Sequence, residues 1–174
     1  MECSHLDYPH PRGELLLRGR LFSGYYKHPE RTKEVVDSEG WFHTGDVVKL
    51  TEGNALSLIG KKTELIKTSM SLVSPEKIEL AYMKCPLVCQ ILVHGEQGFS
   101  SLVAIVVPNG ERMLSMIEEH QWKGTYEEIC QSERLKIEVV KEMKKVEAEL
   151  AQGERVTGSI FIETKAWRDR KSVV

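Results

Sequence analysis

The chain has 174 residues, with 24 basic and 26 acidic side chains and a formal net charge of −2. This balance gives no indication of the strongly basic surface that is typical of binding to nucleic acid or an anionic membrane. The content of 29% charged and 41% hydrophobic residues is typical of a soluble globular protein. We expect no membrane-spanning segment, because no apolar run approaches ~20 residues, and no signal peptide, because the N-terminus is polar.

The first third of the sequence predicts short strands and turns around one helix. Prolines keep residues 1–12 in a loop, and Pro29 suits the first turn of a helix that ends near Gly40. The expected strands are Glu14–Arg18, Val47–Leu50 and Ala55–Ile59, the last two joined by a hairpin turn at residues 52–54. We expect the aromatic side chains of residues 22–26 to pack beneath a site.

From Gly60 onward the pattern changes to longer helices and apolar strands. Ser74 and Pro75 predict a helix start, with Ile78, Ala81 and Tyr82 on its buried face. The remaining expected elements are strands at Leu87–Val93, Leu102–Val107 and Ser159–Glu163, and helices at Met113–His120 and Ser132–Gln152, the longer one capped by Ser132 and ended by Gly153. Residues 165–174 predict no clear structure.

The four cysteines do not have the spacing of a zinc site or of a disulfide framework. Cys85 and Cys89 are separated by three residues, and no second pair follows. Cys3, His5 and His10 lack a fourth ligand at a suitable spacing. We therefore expect no metal site and reduced thiols in an intracellular protein, either cytoplasmic or peripheral on an organelle membrane.

The stretch from Gly40 to Lys67 carries the strongest indication of function. Within it, Thr44, Gly45 and Asp46 predict a turn that holds a carboxylate at the end of a strand. Such a carboxylate can accept hydrogen bonds from two adjacent hydroxyl groups, as on a ribose, and its charge strengthens them. The alternative is an ordinary turn in which Asp46 bonds its own backbone.

Four linked motifs extend this pattern, in order: Gly13-Glu14-Leu15-Leu16-Leu17-Arg18-Gly19, Phe22-Ser23-Gly24-Tyr25-Tyr26-Lys27, Thr32-Lys33-Glu34 and Gly40-Trp41-Phe42-His43-Thr44-Gly45-Asp46. Over about residues 13–109, the series resembles the adenylate-forming enzymes, most closely the long-chain fatty acyl-CoA synthetases. The resemblance implies an α+β fold: a small β-rich lobe (residues 1–59, the end of a large N-terminal AMP-binding domain) hinged to a small mobile α/β domain (residues 60–174).

The resemblance also implies the activity and the site residues. The family converts a fatty acid with ATP, Mg²⁺ and CoA into acyl-CoA, AMP and pyrophosphate. Asp46 would hold the ribose hydroxyls of AMP, with Thr44 and Gly45 beside it. Gly60 and Lys61 stand where the family has an Asp-Arg pair at its hinge, so Gly60 is the expected hinge and Lys61 the nucleotide contact. The alternative for Lys61 and Lys62 is a solvated basic turn.

Several parts of the family pattern are missing. The loop that would approach CoA, Lys67–Glu76, contains no glycine, and no glycine-rich loop ending in lysine is present to bind the ATP phosphates. Lys165 lacks the flanking residues of the family's catalytic lysine, so we assign no catalytic residue. Two functions remain open: a partial long-chain fatty acid–CoA ligase that is inactive without an N-terminal domain, or a degenerate, non-catalytic module that binds a nucleotide or a partner protein.

Overall fold

The computed structural model describes residues 10–69, 72–96 and 98–167. The chain forms two compact units that divide between Leu65 and Ile66. The sequence placed this division at residues 59 and 60, six residues earlier. The difference arises because β3 continues through Lys61, whose carbonyl accepts hydrogen bonds from the amides of Glu64 and Leu65 at 2.9 and 3.1 Å, so the turn after the strand stays with the first unit.

The first unit is a three-stranded antiparallel sheet with one short helix. In chain order its elements are β1 (Arg12–Leu17), α1 (Pro29–Val35), β2 (Phe42–Leu50) and β3 (Leu56–Lys61), and the strand order is β1-β2-β3. The predicted helix at Pro29 and the predicted hairpin are both present. In the hairpin turn, Asn54 takes a left-handed conformation and the amide of Thr51 bonds the carbonyl of Ala55 at 2.9 Å.

Strand β2 begins at Phe42, five residues before the predicted start, and it contains a bulge. Glu14 pairs with Val47 and Leu16 pairs with His43, so residues 44–46 of β2 lie opposite Leu15 alone. The backbone at Gly45 absorbs this irregularity with a φ of 73°, a value that glycine adopts without strain. The predicted turn at the end of a strand was therefore wrong, because pairing on both sides continues past the bulge.

The first unit buries little of its apolar surface. Val47 is the only hydrophobic side chain buried in its described part. The aromatic residues that we expected to pack beneath a site are exposed, and Tyr26 is 84% exposed. The Phe22 ring nevertheless packs edge-on against the Phe42 ring, with 5.1 Å between the ring centroids. A sheet of this size with one buried core position has little hydrophobic stabilisation of its own.

The second unit has a mixed sheet covered by helices. Its elements in chain order are β4 (Ile66–Lys67), β5 (Leu72–Val73), α2 (Pro75–Tyr82), β6 (Val88–His94), β7 (Val103–Pro108), α3 (Gly110–Glu119), α4 (Tyr126–Cys130), α5 (Glu133–Lys145) and β8 (Ile160–Ile162). Strands β4 and β5 pair with each other, and the main sheet has the order β6-β7-β8, antiparallel and then parallel.

One hydrophobic cluster unites the helices and the main sheet of the second unit. The predicted face of α2 is buried, with Ile78 and Tyr82 fully inaccessible to solvent. The predicted caps are also present, because the Ser74 and Ser132 hydroxyls accept hydrogen bonds from the amides of Lys77 and Leu135. The strands predicted at residues 87–93, 102–107 and 159–163 match β6, β7 and β8 to within one residue at each end.

Two helices differ from the prediction. Helix α3 starts three residues early because the Asn109 side chain caps it. Helix α5 ends at Lys145 instead of Gln152, and two 3-10 turns follow, at Glu147–Glu149 and Gln152–Glu154. The predicted stop at Gly153 was wrong because the first of these turns brings the Glu147 carboxylate to the buried Tyr82 hydroxyl, 2.8 Å away.

Candidate functional site

The bulge in β2 places Asp46 beside a cation from the neighbouring strand. Asp46 and Lys61 are direct partners across β2 and β3. Directly opposed residues of an antiparallel pair point to the same face, with Cβ atoms about 4.5–5.5 Å apart. The half-buried Asp46 carboxylate and the Lys61 ammonium group therefore share one face of the sheet, midway along β2 and at the end of β3.

The Asp46 carboxylate is not engaged by the described part of the chain. None of the hydrogen bonds or ion pairs among these residues uses an Asp46 side-chain oxygen. The local turn bond is made by Thr44 instead, because its hydroxyl accepts a hydrogen bond from the Asp46 amide at 3.0 Å and donates one to the Leu15 carbonyl at 2.8 Å. The alternative in which Asp46 bonds its own turn is thus not what the structure contains.

Glu14 on β1 joins three segments around the bulge. Its Oε1 accepts a hydrogen bond from the Gly45 amide at 3.1 Å, and its Oε2 accepts one from the Lys62 ammonium at 2.8 Å. The Lys62 amide donates to the Gly45 carbonyl at 2.7 Å, which closes the connection from the other side. The Glu14 side chain is only 17% exposed, so these bonds are screened less by water than surface pairs are.

This environment favours the ionised form of Glu14. The hydrogen bond from Lys62 lowers the pKa of the Glu14 carboxyl below its usual value, with the Gly45 amide adding to the effect and burial opposing it. His43 extends the group, since its Nδ1 lies 3.9 Å from Glu14 and its Nε2 lies 3.3 Å from Asp37. Backbone amides, foremost that of Trp41, lower the pKa of Asp37 in the same way.

The two lysines after the hairpin have different environments. Lys61, the last residue of β3, pairs with Asp46, whereas Lys62, the first residue after that strand, bonds Glu14. Gly60 pairs with Val47 inside β3, next to a second register shift. Its assignment as a hinge stays a prediction.

The remaining sequence features are described by their own surroundings. Lys165 lies in the second unit, just after β8, where its amide bonds the Glu163 carboxylate at 3.1 Å. Across residues 10–69, 72–96 and 98–167, no group of three potential ligands could hold a metal ion, while Cys3 and His5 lie outside these ranges. The described helices include none that is long and apolar enough to cross a bilayer.

Sequence reasoning missed Glu14 as a member of the site. It entered only as part of the Gly13–Gly19 motif, although a carboxylate preceding three leucines is an available signal. An acidic side chain in an apolar strand is costly to bury without a partner, so its presence indicates one nearby. The sequence alone could not identify Gly45 and Lys62 as those partners, since they lie 31 and 48 residues away.

The curated relatives of this chain are long-chain acyl-CoA synthetases. No family model matches the chain. The peroxisomal long-chain acyl-CoA synthetase 6 of Arabidopsis thaliana is 39% identical over 149 residues, which are 84% of this chain and 21% of the relative. Long-chain-fatty-acid–CoA ligase 6 of Homo sapiens is 41% identical over 133 residues, 75% of this chain and 19% of the relative. The chain thus spans about a fifth of the length of the curated relatives it matches.

Solved structures give the same fold. The adenylation domain of a carboxylate reductase from Mycobacterium chelonae superposes with a TM-score of 0.73 at 32% identity, over 95% of this chain and 24% of that one. The corresponding domain from Segniliparus rugosus, in complex with AMP and a co-purified carboxylic acid, gives 0.72 at 32% identity, over 94% and 24%. The α+β, adenylate-forming fold is confirmed, and the chain belongs to the long-chain fatty acyl-CoA synthetase family of AMP-binding enzymes.

Proposed function

We propose that this chain supplies the ribose-binding carboxylate of a long-chain fatty acid–CoA ligase. In the proposed reaction a fatty acid, ATP and CoA give acyl-CoA, AMP and pyrophosphate. The observation that carries the proposal is the Asp46 carboxylate, which is half-buried and unbonded within the described residues, with Lys61 directly opposite. The AMP bound to the adenylation domain from Segniliparus rugosus supports a nucleotide as the ligand.

The chemistry of these side chains fits a ribose. A carboxylate offers two oxygens that can accept the paired 2′ and 3′ hydroxyl donors. Lys61 places a positive charge on the neighbouring strand, directly opposite this carboxylate. Mg²⁺ stays an expectation that rests on the family resemblance alone.

We propose further that the chain does not turn over substrate by itself. The sequence lacks a phosphate-binding loop and a matched adenylation lysine, so positioning and charge stabilisation of the reacting phosphate are absent. The first unit also exposes large apolar side chains, including Leu56 at 58% and Leu58 at 66%. An N-terminal domain of the kind that the longer relatives provide would cover such a surface.

A degenerate binding module is the second candidate function. The missing glycine in the Lys67–Glu76 segment favours it, because the backbone there has less freedom to approach a ligand such as CoA. The two candidates share the nucleotide site and differ in catalysis. An intracellular location, cytoplasmic or on an organelle, is proposed for both; the peroxisomal relative supports it, as do Cys85, Cys89 and Cys130, which are free thiols in the described part of the chain.

AMP binding to the purified chain, measured by ligand-detected NMR, tests the proposal. The change is Asp46→Ala, and Glu52→Ala in the exposed hairpin turn is the matched control. One lost hydrogen bond to a charged group is worth ~1.5–3 kcal/mol, so the Kd should rise roughly ten-fold or more in Asp46→Ala and stay unchanged in the control. Absence of binding at millimolar AMP, or equal binding by both variants, would refute the ribose site.

A thioester assay with palmitate, ATP and CoA separates catalysis from binding. We expect no acyl-CoA above a control without protein, for the chain alone. Production that disappears in Asp46→Ala would show that the missing phosphate loop and lysine are dispensable. Production restored by adding the N-terminal part of a longer relative would favour the partial ligase over the degenerate module.

A further inference from the structure

Glu14 is hydrogen-bonded at both carboxylate oxygens and is less exposed than Asp37, the other carboxylate that His43 contacts. It bonds the Gly45 amide and the Lys62 ammonium with separate oxygens, and its side chain is 17% exposed. The Lys62 side chain is 58% exposed, so a largely solvated lysine forms an ion pair with a mostly buried carboxylate. A pair of this kind needs good geometry and additional hydrogen bonds to offset desolvation, and the Gly45 amide supplies one.

The hydrogen bonds of Glu14 lie at the bulge in β2, where its pairing with β1 is irregular. The bulge at residues 44–46 has lost regular pairing with β1, since only Leu15 lies opposite it. The Gly45 amide donates its hydrogen bond to the Glu14 carboxylate instead of to a backbone carbonyl of β1, and the Gly45 carbonyl accepts one from the Lys62 amide. The residue that follows this fixed glycine is Asp46, so the direction of its carboxylate depends on how firmly Gly45 is held.

We propose that Glu14 is a positioning residue of the nucleotide site, whose carboxylate fixes the bulge at Gly45 and so directs Asp46 toward the ligand. The inference rests on the proposed function of Asp46. The same contact gives the two lysines different partners: Glu14 holds Lys62 as a structural cation, which leaves Lys61 as the cation opposite Asp46. The sequence predicted the nucleotide contact at Lys61 and assigned Lys62 no separate role.

The experiment uses the whole chain, with adenosine as the probe. Adenosine carries the ribose but no phosphate, so its affinity reports Asp46 without a contribution from phosphate charge. The variants are Glu14→Gln, Asp46→Ala and the double variant, with Glu52→Gln as the matched control. Glutamine keeps the size of Glu14 and one acceptor oxygen, but it cannot hold the Lys62 ammonium as an ion pair.

We expect Glu14→Gln to raise the Kd for adenosine about three- to ten-fold, and the double variant to bind no more weakly than Asp46→Ala. Such non-additivity shows that Glu14 acts through Asp46. A spectroscopic signature accompanies it: the Gly45 amide proton should move upfield in Glu14→Gln, because its acceptor is no longer charged. Lys62→Met, which leaves the Gly45 bond in place, should shift this resonance less.

The possible failures are distinguishable. If wild type does not bind adenosine, or Asp46→Ala binds it as well as wild type does, the proposed function fails and this inference fails with it. If Asp46→Ala loses affinity while Glu14→Gln keeps it, only the positioning role of Glu14 is refuted. Additive losses in the double variant, or loss of the folded spectrum of the first unit in Glu14→Gln, would assign Glu14 to stability instead of positioning.

Discussion

Replacing Tyr82 by phenylalanine should destabilise the second unit strongly, although the change removes a single oxygen atom. Tyr82 is fully buried at the end of α2, where its hydroxyl donates to a Glu147 oxygen at 2.8 Å and accepts from the Val156 amide at 3.0 Å. Burial raises the pKa of Tyr82 far above its usual value, so the hydroxyl keeps its proton and remains a donor. One atom thus connects α2 to two segments that follow α5.

The size of the effect follows from these two bonds. A hydrogen bond to a charged acceptor contributes about 1.5–3 kcal/mol, and leaving the Val156 amide without its partner adds a desolvation cost of about 1 kcal/mol or more. We expect Tyr82→Phe to lower the free energy of unfolding by about 2–4 kcal/mol. With a denaturant slope of about 1–3 kcal/mol per molar urea, the midpoint should fall by about 1 M or more.

Urea unfolding followed by the methyl resonances of Met113 and Met143 provides the assay, because both side chains lie in the core of the second unit. Tyr26→Phe is the matched control, since that ring is 84% exposed in the first unit, and it should change the free energy by less than about 0.5 kcal/mol. Equal midpoints for the two variants would refute the reasoning, and would mean that water replaces both bonds at no cost.

Two further predictions concern a glycine contact and the response to pH. In Gly95→Ala the new Cβ would lie 2.6 Å from Cδ2 of the buried Leu102, so we expect the free energy of unfolding, measured in urea, to fall by about 1–3 kcal/mol. Gly110→Ala is the control, because its new Cβ would have no atom within 4 Å, and it should leave the free energy of unfolding unchanged. Equal values for the two variants would contradict this prediction. Lys62 is the main cause of the lowered pKa of Glu14 in the folded state, and this lowering contributes to stability. The contribution is fully present when the pH is above the unfolded-state pKa near 4.5, and it is lost as the pH falls through the folded-state pKa. Acid unfolding of the first unit, followed by the Trp41 indole resonance, should therefore depend less on pH in Glu14→Gln, and an unchanged profile would contradict the assignment.

Local signals predicted much of the fold correctly. The serine caps of α2 and α5, the proline that opens α1 and the hairpin turn each depend on residues a few positions apart, so a single sequence contains the information. One such signal was overlooked: Thr125 and Glu128 form a capping box that starts α4.

The elements that were mispredicted depend on distant partners. Helix α5 stops early because Glu147 bonds Tyr82, 65 residues away, and helical periodicity does not register that competition. The bulge in β2 arises from its register with β1, so the Thr-Gly-Asp sequence was mistaken for a turn. The ribose-binding role of Asp46 is a prediction from the family resemblance. The sequence did not predict the contacts of Glu14, because its partners become neighbours only when three segments pair.

The most direct test of the central claim is to map where AMP binds on the chain. In ¹H–¹⁵N spectra of the labelled protein, titration with AMP should shift the amide resonances of Gly45, Asp46 and Lys61 together, with one Kd in the millimolar range or below. The same titration of Asp46→Ala should leave the Lys61 resonance unmoved at these concentrations. Shifts confined to the second unit, or the absence of any shift around Asp46, would contradict the assignment of a nucleotide site to this sheet.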